Sequence, residues 1–280
     1  MKKRILTGIV GIAFLAGVLA GSWYWPLAFN IAVAIICAVS ASEILTATGL
    51  GKYKILAVGV ILFAAFVPFS VYAAELTRYP VVQAVFFAYC LFLFSHAIFH
   101  HHDIAFPDLA VVFAVSVVVP YALSTMVYAR DIGGVHGIYY IILILIGAWA
   151  SDIGAYFTGS FFGKHKLAPE ISPKKTVEGF LGGIAACIVA VVLSVAVYQA
   201  WLSPVAFTAS YPAAVLLAAL CSVISVLGDL TFSVIKRSYQ IKDFGNVFPG
   251  HGGMLDRFDS VVFVAPLVYL MIQFVPVILP

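Results

Sequence analysis

Charge is what this sequence has least of. Asp, Glu, Lys and Arg make up 10% of its 280 residues, hydrophobic residues make up 64%, and mean hydropathy is +1.11. A soluble globular domain is about a quarter charged and about half apolar. A water-soluble fold is therefore excluded, because no soluble core could absorb this excess, whereas a bilayer can. The net charge of +3 is too small for an electrostatic partner such as nucleic acid. Cysteine is also scarce. Cys37, Cys90, Cys187 and Cys221 all lie in apolar stretches, without paired or zinc-type spacing. That excludes a disulfide framework or a metal finger and leaves them as small packing residues. Two matched halves are missing too, which argues against an inverted-repeat transporter.

What is present is a series of apolar runs. A spanning helix needs about 20 such residues. The runs predict nine spans: 5–21, 25–45, 54–74, 80–99, 105–128, 136–160, 180–201, 212–235 and 259–279. The fold class is therefore all-α, a polytopic integral membrane protein of about nine transmembrane helices. It forms one membrane domain over 1–280, with hydrophobic spans in 1–145 and the polar chemistry in 146–280. The opening MKKR and its apolar run resemble a signal peptide, but the length of the run favours a retained first helix. Trp23, Tyr24 and Trp25 suit an interfacial belt, and Pro120 falls inside the fifth span, where it predicts a kink.

Lys and Arg divide unequally between the two sides. One side carries Lys2, Lys3, Arg4, Lys52, Lys54, Lys164, Lys166, Lys174, Lys175, Lys236, Arg237, Lys242 and Arg257; the other carries Arg78 and Arg130. The positive-inside rule puts the first side, with the N-terminus, in the cytoplasm and the C-terminus outside.

Three clusters carry the chemistry. Asp229 lies near the end of an apolar run, and a carboxylate at membrane depth needs a partner or a function. Ser233, Lys236 and Arg237 follow on the same helical face. Snorkelling to the interface would explain the two cations but not the acid. Next, Pro249, Gly250, Gly252 and Gly253 predict a tight loop with exposed N–H groups ahead of a helix, a plausible phosphate cradle. Asp256 and Asp259 follow three residues apart, and Lys242, Asp243, His251 and Arg257 crowd the same segment. Helix-dipole preference accounts for one acid there, not for the whole set. Third, Asp152 lies in mid-span beside Gly147, Ser151, Ala155 and Gly159, whose spacing predicts close helix packing. The loop after it bears Lys164, Lys166, Lys174 and Lys175, which attraction to anionic lipid would also produce. Carboxylates for a divalent cation and cations for phosphates, at a membrane surface, suit phosphoryl or nucleotidyl transfer on a lipid. His96 and His100–His102 could be a metal tract but are better explained as a polar cap at a span end.

The run Ser233 to Asp259, SVIKRSYQIKDFGNVFPGHGGMLDRFD, resembles the signature of the phosphatidate cytidylyltransferases (CDP-diacylglycerol synthases). S-P-K-K-T-V-E-G at 172–179 and S-D-x-G-A-Y at 151–156 resemble that family as well. The resemblance implies CTP + phosphatidate → CDP-diacylglycerol + pyrophosphate, with Mg2+, alone or with a second metal ion, and a homodimer among membrane lipids at a bacterial-type inner membrane. It assigns Asp229 and Asp256 first, then Asp259 and Asp152, to metal. Lys236, Arg237, Lys242, Asp243, His251 and Arg257 become catalytic. Ser233, Gly252, Gly253, Lys166, Lys174 and Lys175 become substrate-binding. A cation-coupled transporter and a CTP-dependent lipid kinase are the alternatives. The D-x-x-D-G-x-x-A-R motif of the CDP-alcohol phosphatidyltransferases is absent.

Overall fold

The structure of the protein is a computed structural model describing residues 2–70, 72–73, 79–248, 250 and 252–279, with backbone only for 2–7, 9 and 12. Arg78, Pro249, His251 and the end of the third expected span lie outside the described residues. Among the described residues, the α-helices are α1 (Lys2–Tyr24), α2 (Leu27–Ala47), α3 (Lys54–Phe66), α4 (Val81–Phe99), α5 (Phe106–Ile132), α6 (Gly137–Phe162), α7 (Val177–Val197), α8 (Tyr211–Ser238) and α9 (Leu255–Phe274). The protein is thus nearly all-α. Among the described residues, five stretches are long and apolar enough to cross a membrane: Leu27–Ala47, Val81–Phe99, Phe106–Phe162, Val177–Leu202 and Tyr211–Ser238.

Local signals set the ends of these helices. Pro26, with φ already helical, opens α2. Gly49 closes it in the left-handed conformation (φ 71°), its N–H bonding to Thr46 O. Thr176 caps α7 by accepting a hydrogen bond from Gly179 N at 3.1 Å.

Three expectations are corrected. The segment expected as a plain basic loop contains an antiparallel hairpin, β1 (Lys166–Ala168) and β2 (Ser172–Thr176). The last helix starts at Leu255, not at 259, so Asp256 and Asp259 both fall near its start. It ends at Phe274, and the chain end pairs β4 (Ile278–Leu279) with β3 (Thr208–Ala209), two-residue strands that the apolar pattern hid.

The chain forms two compact units, one of residues 1–127 and 239–257, the other of 128–238 and 258–280. In the first, Phe63 of α3 stacks on Tyr89 of α4 at 3.8 Å, and the Tyr89 hydroxyl bonds with Ser116 of α5. Buried Asn30 of α2 donates to Pro68 O at 2.8 Å. In the second, small residues bring helices into backbone contact. A Cβ on Gly179 of α7 would come 2.8 Å from Ala155 O of α6, and one on Gly183 would come 2.9 Å from Ser151 O. A Cβ on Gly147 of α6 would come 3.0 Å from the Cys221 side chain of α8. The stripe Gly147–Ser151–Ala155–Gly159 is therefore a packing surface, as its spacing predicts. Cys37, Cys187 and Cys221 are buried free thiols.

Large apolar side chains point outward on many helices: Leu62 on α3, Phe87 and Leu91 on α4 and Leu193 on α7 are more than half exposed, and Leu270 on α9 nearly half. Soluble proteins rarely expose apolar surface on this scale. With the five apolar stretches, this identifies a membrane protein.

Candidate active site

In the second unit, three carboxylates share one neighbourhood. Asp152 of α6 accepts from Ser225 Oγ of α8 at 3.2 Å on one oxygen and from Ser260 Oγ of α9 at 2.9 Å on the other. One acid thus ties three helices together. Next to it on α6, Ser151 Oγ lies 2.7 Å from Ser222 Oγ of α8, and both residues are fully buried. Asp229 of α8 lies within electrostatic reach of Asp152 and Asp259. Its Oδ2 is 2.6 Å from Lys175 Nζ on β2, and its Oδ1 accepts from Ser233 Oγ at 3.3 Å. Asp259 of α9 is 9% exposed, accepts from Ser260 N at 2.8 Å and feels the charge of Lys236. Gly228 makes this crowding feasible, since a Cβ there would lie 2.7 Å from Asp259 O. α8 and α9 can therefore approach closely beside the acids.

The hairpin brings its own cations. Arg237 Nε donates to Ile171 O at 3.3 Å, fastening the end of α8 to the hairpin. Glu178 accepts from Lys164 N and His165 N, and its carboxylate pairs with His165 Nδ1 at 2.6 Å. Lys166 and Lys174 are exposed on the hairpin. Of the expected site residues, this unit gathers Asp152, Asp229, Asp259, Lys175, Ser233, Lys236 and Arg237.

The first unit holds the glycine-rich loop. Gly250 and Gly252 take positive φ (80° and 88°), conformations that L side chains rarely adopt. Asp256 Oδ2 accepts from Phe244 N at 2.8 Å and Gly253 N at 2.9 Å, so this acid knits the loop across its neck. Asp243 also approaches Gly252, where a Cβ would come 3.3 Å from its Oδ1. Lys242 and Arg257 are exposed. His251 lies outside the described residues.

The sequence reading missed Glu43. This acid of α2 is 5% exposed and accepts from Met254 N and Leu255 N, each at 2.8 Å. Gly245 and Gly253 face it so closely that any Cβ would collide with its carboxylate. The signal was there, an acid inside an apolar run, but its partners are more than 200 positions away.

The histidines resolve more simply. His100 Nδ1 lies 3.2 Å from His96 O and His101 Nδ1 lies 3.0 Å from Ile98 O, so both cap the end of α4, and Tyr53 packs edge-on against His96 and His100.

The carboxylates are hard oxygen donors of the kind magnesium prefers. Among the described residues, no group of three or more His, Cys, Asp or Glu is arranged to hold a metal ion. Magnesium needs only one or two carboxylates once substrate phosphates and water complete its shell. An ammonium already sits against Asp229, which marks that spot as suited to positive charge. Oxygen-donor acids of this kind are chemically compatible with such an ion.

The fold defines an apolar helical membrane protein, with an acid cluster and lysines in one unit and a glycine-rich loop in the other. Residues 2–275 match the model of the cytidylyltransferase family, and the chain belongs to that family. It is 34% identical over 278 residues to the phosphatidate cytidylyltransferase of Bacillus subtilis (strain 168), covering 97% of each chain. It is 43% identical over 146 residues to the enzyme of the same name from Staphylococcus haemolyticus (strain JCSC1435), about half of each chain (52%). With that of Aquifex aeolicus (strain VF5) it shares 45% over 132 residues, 47% of this chain and 46% of the other.

Proposed function

We propose that this protein is a phosphatidate cytidylyltransferase, converting CTP and phosphatidate to CDP-diacylglycerol and pyrophosphate. The full-length likeness to the Bacillus subtilis protein supports the activity. The observation that carries the chemistry is the Asp152–Asp229–Asp259 cluster with Lys175 at 2.6 Å from Asp229. The phosphate of phosphatidate is already an anion, so it attacks the α-phosphorus of CTP without a strong general base. Pyrophosphate leaves with the electron pair of the broken P–O bond.

The task left to the protein is to bring two polyanions together and align them. Lys236, Arg237, Lys242 and Arg257 are assigned to phosphates, and Lys175 can pass from Asp229 to a substrate phosphate. Exposed Lys166 and Lys174 suit the lipid headgroup. Asp229 and Asp259, with Asp152 behind them, would hold Mg2+. Asp256 is carried over as a ligand on the family signature, although its Oδ2 already serves two backbone N–H groups. Bound there, the ion would offset charge on the phosphates and polarise the α-phosphorus. His251 and Asp243 are retained as catalytic on the same signature, and Ser233, Gly252 and Gly253 as substrate contacts.

The fold reading has about nine membrane crossings, with the N-terminus and site cytoplasmic and the C-terminus outside, in a bacterial-type inner membrane. The distribution of Lys and Arg supports it. The homodimer is carried over from the family.

The test is pyrophosphate release by the purified protein in detergent. Release should require CTP, phosphatidate and magnesium together. A lipid kinase would give CDP instead, and a transporter would give neither product.

A further inference from the structure

We infer that Glu43 is a positioning residue for the 243–256 loop, setting the geometry of Asp243 and Asp256 from the opposite end of the sequence. This rests on the cytidylyltransferase reading for its catalytic consequence, but the geometry stands without it.

Glu43 is a nearly fully buried acid, and burying a carboxylate is costly unless its oxygens are satisfied. Here each oxygen has its own donor. Oε1 takes Met254 N and Oε2 takes Leu255 N, both at 2.8 Å. These two N–H groups sit at the start of α9, where intrahelical acceptors are missing and negative charge is favoured. Asp256 holds the adjoining groups, Phe244 N and Gly253 N, on one oxygen. Two carboxylates therefore fix the loop at its neck: Asp256 from within and Glu43 from α2. Phe248 N donates to Gly252 O at 2.9 Å within the loop, and Gly245 and Gly253 must carry no side chain, because a Cβ at either would strike the Glu43 carboxylate.

The same acid lines an open groove of about 430 Å3 with Ser42, Thr46, Asp243, Phe244 and Asn246. A shift of Glu43 would thus move the wall that displays Asp243.

The experiment compares wild type with Glu43→Gln and Glu43→Asp. Gln keeps the shape but turns an NH2 donor toward one backbone N–H. Asp keeps the charge but is one methylene short. Losing a charge-assisted bond and stranding a buried donor predicts that Glu43→Gln lowers kcat by about 10- to 100-fold. KM for CTP should change by less than about threefold, and Glu43→Asp should recover part of the loss. Amide exchange should quicken at 244–255 and stay unchanged in α4. Glu43→Gln with kcat within twofold of wild type would overturn the inference. So would faster exchange throughout α2, α3 and α4, which would mark general destabilisation. If Glu43→Gln does not fold, Glu43→Asp decides alone by the same local-versus-general exchange pattern. If wild type itself releases no pyrophosphate, the enzymatic reading fails, and exchange at 244–255 still tests the positioning role.

Discussion

Removing Lys175 should expose how the acid cluster is held together. Its ammonium lies 2.6 Å from Asp229, with the two side chains 21% and 29% exposed. A fully exposed pair contributes about 0–1 kcal/mol, and stripping one partner from a buried pair costs about 3–5 kcal/mol. At this intermediate exposure, Lys175→Met should cost roughly 1–3 kcal/mol. The upper half of that range is favoured because Asp152 and Asp259 add like charge beside Asp229. Asp229→Asn alone should cost less, since it removes one of three neighbouring acids. The double variant Lys175→Met/Asp229→Asn should recover most of the stability lost in Lys175→Met. It should recover no activity, because the proposed metal ligand and the proposed phosphate contact are both gone. The assay is denaturant unfolding in mixed micelles, followed by tryptophan fluorescence, with pyrophosphate release measured on the same samples. Costs that add within about 0.5 kcal/mol would mean that the two residues do not interact, and the electrostatic account would fail.

Other expectations follow from packing and topology. Gly183→Leu should cost about 1–3 kcal/mol by overpacking the contact of α7 with α6, where a Cβ already lies 2.9 Å from Ser151 O. Gly21→Ala, facing open space inside α1, should cost nothing when both variants are compared by thermal melting. Thr176→Ala should cost about 1 kcal/mol by uncapping α7, and Thr176→Ser should restore most of it in the same melt. A reporter fused after Pro280 should respond from outside the cytoplasm; a cytoplasmic signal would break the nine-crossing topology.

The apolar pattern made the helices legible because nothing else in the chain competes with it. Starts and ends for α2, α4 and α6, and the start of α8, fall within about two residues of the expected spans, the ordinary uncertainty of a helix end. The glycine stripe on α6 was legible for the same reason: small residues every four positions have few uses besides close packing. The 166–176 hairpin was not, because S-P-K-K-T shows no alternation of apolar and polar residues for a pattern reading to detect. Asp229 and Asp152 stood out as acids in apolar runs, but their shared neighbourhood depends on α6, α8 and α9 meeting, a tertiary fact. Glu43 obeyed the same rule and was passed over, since no nearby residue hinted at a partner. The loop glycines were read as a phosphate cradle, whereas Gly245 and Gly253 also make room for a carboxylate from α2.

Cytidylyl transfer is best followed through the phosphorus of CTP. With CTP labelled at the α-phosphate, the account predicts label in the organic-phase lipid, dependent on phosphatidate and magnesium. Label at the γ-phosphate should appear only in pyrophosphate. Lipid labelled from the γ-phosphate would contradict the account and make the protein a kinase; no lipid labelled from either position would remove it from nucleotide-dependent lipid chemistry.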